Sequence, residues 1–429
     1  MAIPTSASSP VPAAAETAAT QRVALTVVTT LFFMWGFITA LNDILVPHLK
    51  SIFDLSTSQA QLVEGAFFAA YGIFSFPATR FVDRLGYKKT MVIGLVTMGV
   101  GALLFVPAAS VPSYPLFLVA LMVLAAGMTA LQVSANPYVS VLGPAATASS
   151  RLNLAQAFNS LGTAIAPTLG GMLILTAAPK AIEIVRQMSV EARQTYNIHE
   201  ASSVKVPYVV IGLALFVLAC AIGMFKLPPV PGAERHGKVS DSVWKHRNLV
   251  LGMVAIFVYV GAEVSIGSNL ILYITRAEIG NISVYAAARF VSYYWLGAMV
   301  GRFIGSAVLQ KVRTGTVLGM AALVASLLVC ISMLTFGHLA MWSIVLVGFF
   351  NSVMFPSIFT LGIAGLGPLT GDGSGFLIMA IIGGAVIPLL QGYMADHATG
   401  MHHSFILPAI CYLYIVYYAF KGSEPIVTA

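Results

Sequence analysis

Charged side chains are scarce in this sequence. Its 429 residues hold 22 Lys and Arg and 15 Asp and Glu, 9% in all, against 58% hydrophobic residues. The mean hydropathy is +0.90. Ordinary soluble domains carry about 25% charged residues, so a soluble chain is excluded and an integral membrane protein is indicated. Cysteine is also sparse. Cys220, Cys330 and Cys411 all lie inside apolar runs, which leaves no basis for a disulfide framework or a metal site. The sequence has no G-x-x-x-x-G-K-[ST] phosphate loop, no H-E-x-x-H and no clustered Cys/His ligands. Direct ATP-driven pumping, a metalloprotease and a bound cofactor are therefore disfavoured. An enzyme would need a nucleophile and base or a metal, and no such cluster stands out. The net charge of +7 comes from basic residues scattered through loops, so it reflects membrane topology and not nucleic-acid binding.

What the chain does have is long apolar runs. They exceed the roughly 18 residues of a spanning candidate and lack the alternation of an outer-membrane barrel, so they are expected to be helices. Six lie at 23–46, 61–80, 90–109, 115–141, 152–177 and 207–227, and six more at 248–273, 283–306, 315–336, 339–365, 374–395 and 404–421. Residues 1–21 have no basic n-region and no apolar h-region, and are expected to be a disordered cytoplasmic tail. With the N-terminus inside, Arg22, Arg80, Arg84, Lys88, Lys89, Arg151, Arg302, Lys311, Arg313 and Lys421 fall on the inner side together with a cluster from Lys226 to Arg247. That bias favours cytoplasmic termini and an even number of spans. The expected fold is all-α: twelve transmembrane helices in two six-helix bundles, 22–227 and 248–421, joined by a polar cytoplasmic linker at 228–247 and followed by a tail at 422–429.

The halves repeat one another. Gln132, Pro137 and Gly143 in ALQVSANPYVSVLG match Asn351, Pro356 and Gly362 in FFNSVMFPSIFTLG, and Gly162, Pro167 and Gly171 match Gly383, Pro388 and Gly392. Such pairs indicate duplication, with the glycines allowing close helix approach and the prolines allowing bending.

Polar residues inside apolar runs need water, a partner or a proton. In ALNDILVPHL, Asp43 is a candidate proton carrier, since burial would let it bind a proton near neutral pH; an interfacial cap is the plainer alternative. Glu263 in YVGAEVSIGSN lies deeper, and Arg289 in the next span could reach its depth and pair with it. Asn42, Gln132, Asn136, Gln156, Asn159 and Asn351 offer amides for a polar ligand or for helix packing. Asn136, just before Pro137, is expected to satisfy backbone groups that the proline frees. Tyr259 and Trp295 are the first candidates for an aromatic face on a ligand. His402 and His403 fall in an expected outer loop.

The loop RFVDRLGYKK, with Asp83, Arg84, Gly86, Lys88 and Lys89, looks like the D-R-x-G-x-K/R part of the major facilitator superfamily signature, with Thr79 in place of its leading glycine. LNDILVP at Leu41, ANPYVSVLGP at Ala135, RLNLAQAFNSLG at Arg151, YVGA at Tyr259, GRFIG at Gly301 and FPSIFTLGI at Phe355 together resemble the fucose/galactose/glucose:proton symporter family. The resemblance runs from the first span into the eleventh. It implies a two-bundle carrier in the plasma membrane, the inner membrane of a bacterium, where a neutral hexose and a coupling proton meet between the halves. Fucose-carrying members use one carboxylate in L-N-D-I-L, which Asp43 fills, and another in L-E-T-A-A-N-P, where this chain has Gln132. An amide cannot exchange a proton, so Glu263 is expected to supply the second carboxylate, with Gln132 and Asn159 on sugar hydroxyls. A sodium-coupled or uncoupled sugar carrier, and more distantly a proton-driven efflux pump, are the alternatives. A monomer in the lipid bilayer, without nucleic acid or metal, completes the expectation.

Overall fold

The computed structural model describes residues 12–53, 57–111, 113–174, 187–189, parts of 191–203, 204–228 and 242–424. The side chains of residues 12–19, 41–64, 167–174, 284–285 and 399 lie outside that description. Among the described residues the structure is helical and contains no strand.

The first half comprises α1 (Pro12–Phe53), α2 (Thr57–Ser110), α3 (Tyr114–Val141), α4 (Ala148–Ile174) and α5 (Lys205–Met224). The second comprises α6 (Arg247–Ile274), α7 (Val284–Val308), α8 (Thr314–Leu334), α9 (Gly337–Asn351), α10 (Met354–Ile363), α11 (Thr370–Met379), α12 (Gly383–Met394), α13 (Gly400–Ser404) and α14 (Ile406–Tyr417). Nine described segments are long and apolar enough to cross a bilayer. One of them, Gly65–Ser110, has 46 residues. At 1.5 Å per residue that is about 69 Å of helix, more than twice a hydrocarbon core of about 30 Å. The chain turns back within it at Gly86, whose φ of 80° and ψ of 169° are open only to glycine. The glycine of RFVDRLGYKK therefore marks the turn between two crossings.

Each half contains the same internal contact. α1 packs on α4, and α6 packs on α12. A Cβ on Gly36 would collide with the Asn159 carbonyl, and one on Gly162 with the Phe33 carbonyl. In the second half a Cβ on Gly261 would strike Ile387, and one on Gly383 the Phe257 carbonyl. Gly162 and Gly383 are repeat partners, so the duplicated motif encodes a helix crossing too close for any side chain.

The halves meet through α4 against α7 and α2 against α11. Hydrogen bonds across this seam gather toward the end of the bundle that holds the linker. Ser149 Oγ lies 2.9 Å from Thr314 Oγ1 and 2.6 Å from Thr360 Oγ1. At the next residue, Ser150 Oγ donates to the Ser306 carbonyl at 2.7 Å and Ser306 Oγ to the Ser150 carbonyl at 3.1 Å. The linker end is closed.

Candidate functional site

Proline shapes the first element of the site. Pro137 has no N–H, so the carbonyl four residues earlier, Val133, has no helical donor. Ser374 of α11 donates its Oγ proton to that carbonyl at 3.0 Å. Asn136 was expected to serve the freed backbone group. Instead the other half of the protein serves it, and Asn136 Oδ1 faces Gln156 Nε2 at 3.5 Å, a long contact.

In the first half Gln132 is 2% exposed and donates from Nε2 to the Tyr71 hydroxyl at 2.7 Å. Gln132, Asn136, Phe32 and Trp35 line a narrow crevice between α1 and α3. Gln132 Oε1 and Asn136 Nδ2 are buried there without hydrogen-bond partners. Asn159 donates to the Phe32 carbonyl at 3.0 Å and so ties α4 to α1. Asn42 and Asp43 lie on the helical backbone of α1, but their side chains, and that of Pro167, fall outside the described residues.

The second half holds a tighter network. Asn351, the repeat partner of Gln132, donates from Nδ2 to Tyr294 at 2.7 Å and accepts from Tyr412 on Oδ1 at 2.8 Å. The Tyr259 hydroxyl donates to the Asn351 carbonyl at 3.1 Å. Tyr259 is fully buried. Its ring is packed into protein in this conformation. Trp295 is 39% exposed, and its ring edge approaches Gly267.

Glu263 lies within electrostatic reach of Tyr259 and Arg302. Its Oε1 is buried without a hydrogen-bond partner. Arg289 was expected to be the nearby cation; it is exposed on α7, and the cation facing Glu263 is Arg302, further along the same helix. Arg302 donates from Nη1 to Ser160 Oγ of α4, and its carbonyl accepts from Asn153 Nδ2 at 2.7 Å. Its Nε is buried and unpartnered. Tyr71, Tyr294, Tyr412 and Arg302 thus join the site without having been singled out from the sequence.

Of the remaining candidates, Asp83 Oδ1 lies where a Cβ on Gly371 would approach to 3.2 Å, which places it on the α2–α11 seam. Arg84 and Gly86 sit at the α2 turn. Pro356 is buried near the start of α10, two residues past the α9–α10 break, and Pro388 lies inside α12. His402 is 5% exposed and not in an open loop; it stacks on Phe336 at 5.0 Å, with Nδ1 3.2 Å from the Tyr273 hydroxyl.

The family model described as Major Facilitator Superfamily matches residues 24–381. This chain belongs to the Major Facilitator Superfamily. Among its relatives in the superfamily, a glucose/galactose transporter of Brucella abortus biovar 1 (strain 9-941) is 50% identical over 403 residues, 94% of each chain. The L-fucose-proton symporter of Escherichia coli (strain K12) is 36% identical, covering 91% of this chain and 90% of its own. The crystal structure of the superfamily transporter FucP in the outward conformation has a TM-score of 0.87 and 34% identity, covering 93% of this chain and 98% of that one. The superfamily fold explains why the repeated α1–α4 and α6–α12 contacts occupy equivalent places in the two halves. The protein is a multi-pass membrane protein.

Proposed function

We propose that this protein imports a neutral hexose together with a proton, by rocking of its two halves around a site near the membrane midplane. The observation that carries this reading is the 50% identity, across 94% of both chains, with a protein named as a glucose/galactose transporter. The name of the L-fucose-proton symporter supports the proton. Closure of the seam at the linker end supports a carrier that presents its site to the opposite side, in agreement with the outward conformation of FucP.

In this proposal the chain makes twelve crossings with both termini and the linker end in the cytoplasm, and works as a monomer in a bacterial inner membrane. Gln132 and Asn136, with Oε1 and Nδ2 uncommitted, are the sugar-facing amides of the first half. Asn42, Gln156, Asn159, Tyr259 and Trp295 are further sugar contacts in this proposal, and Asn351 shapes the pocket from the second half. Asp43 and Glu263 exchange the coupling proton; Asp83, Arg84, Gly86, Arg289, Pro137, Pro167, Pro356 and Pro388 serve gating.

The test is uptake of labelled glucose, galactose and fucose into proteoliposomes, with an inward proton gradient imposed or abolished, for wild type, Asp43→Asn and Glu263→Gln. Gradient-driven accumulation lost in a mutant that still exchanges sugar assigns coupling to that carboxylate. Accumulation driven by sodium, or equilibration alone, favours the second reading, a sodium-coupled or uncoupled carrier, which the amide at Gln132 keeps in play.

A further inference from the structure

Arg302 has a hydrogen-bond acceptor in one half of the protein and an acidic side chain within electrostatic reach in its own. On one side is Ser160, which belongs to the other half of the protein and takes its Nη1 proton. On the other is Glu263, whose Oε1 is buried and without a hydrogen-bond partner, as is Arg302 Nε. The titratable and charged groups facing Glu263 are Arg302 and Tyr294 from α7, Tyr259 from its own α6, and Tyr412 from α14. Arg302 is the one cation among them within the described residues. A buried carboxylate and guanidinium attract strongly, and each left alone is costly, whereas a protonated carboxyl has little hold on the cation.

We propose that Arg302 transmits the charge of Glu263 to the seam between the halves. With Glu263 protonated, the guanidinium stays on Ser160, and the Asn153–Arg302 and Ser150–Ser306 bonds along the same face of α7 stay in register. With Glu263 ionised, the guanidinium swings to the carboxylate, Ser160 loses its partner, and the α4–α7 seam is weakened from its inner edge. A proton arriving without sugar then keeps the linker end shut, so it does not leak through. Arg302 is a positioning residue in this scheme, acting through Glu263 and Ser160. The inference rests on the reading that Glu263 exchanges a proton during transport.

The experiment reads the seam directly. Cys220, Cys330 and Cys411 are replaced by Ser, nitroxide labels are placed at Ala146→Cys and Lys311→Cys, both exposed at the linker end of opposite halves, and distance distributions are measured in liposomes at low and high pH without sugar. The open-to-closed ratio is expected to rise roughly tenfold with pH, the scale of one charge-assisted hydrogen bond gained or lost. Glu263→Gln is expected to hold the closed distribution at every pH. Ser160→Ala is expected to shift the low-pH distribution toward open, and Arg302→Gln to abolish the pH response. An unchanged pH response in Glu263→Gln, or a Ser160→Ala seam as closed as wild type, overturns the proposal. Sugar accumulation is scored separately in the same variants: intact accumulation in Glu263→Gln with the pH response of the seam lost would refute the coupling role and leave the Arg302 linkage standing.

Discussion

Tyr412 donates its hydroxyl proton to Asn351 Oδ1 at 2.8 Å, deep in the second half. With Tyr294 accepting from Nδ2 and Tyr259 donating to the backbone carbonyl, Asn351 is held at three points. Gln132, at the matching position of the first half, is held at one point and keeps Oε1 uncommitted. The duplicated position has divided its labour: one amide locks a bundle and the other remains available.

Asn351→Ala strands two buried hydroxyls, those of Tyr294 and Tyr412, at about 1–3 kcal/mol each. Thermal unfolding of the detergent-solubilised variant should show a loss of about 2–4 kcal/mol, with little change in the sugar KM of the protein that folds. A raised KM at unchanged stability would instead return Asn351 to the sugar.

Tyr71→Phe acts in the opposite way. It removes the hydroxyl that orients Gln132 while leaving the apolar ring in place. Sugar KM should rise about tenfold, equivalent to ~1.4 kcal/mol, while the melting temperature moves little. Uptake titrations and melting curves on one preparation check both.

Pro137→Ala restores a backbone N–H facing the Val133 carbonyl, which then has a helical donor of its own and no need of Ser374. The first half should become more stable and the seam weaker. Faster sugar exchange in proteoliposomes, with a higher melting temperature, is the expected pairing of results.

Two glycines of one helix should respond oppositely to alanine. A Cβ on Gly383 meets the Phe257 backbone, which cannot yield, whereas Gly392 has open space around it. Gly383→Ala should lower the folded yield and melting temperature markedly. Gly392→Ala should be neutral or stabilising by about 0.5–1 kcal/mol, the helix-propensity difference. Size-exclusion profiles and melting curves of the two variants decide it.

Most of the architecture could be read before any coordinates were seen, because it is written in local signals. Apolar runs define the helices, Gly86 marks a turn, and Gly162 and Gly383 mark the tight crossings. The site was harder because its bonds join residues far apart in the chain. Nothing local says that Tyr294 and Tyr412, rather than any other of the 16 tyrosines, will meet Asn351. Arg302 did leave a trace: it lies inside the apolar run 283–306, where a charge demands a partner. Grouping it with the inner-side basic residues hid that demand. His402 was placed in a loop on polarity alone, yet flat aromatic neighbours let its ring pack inside.

The Ser149, Ser150, Ser306, Thr314 and Thr360 hydroxyls bear on reversibility as well as closure. Each can give or take a proton, so when the halves part every one of them finds water at once and no stranded donor holds the door. A fastener of leucines would grip by excluding water and would resist rewetting. One made of hydroxyls trades like for like, and the newly parted walls are already suited to a departing sugar, which carries the same chemical group.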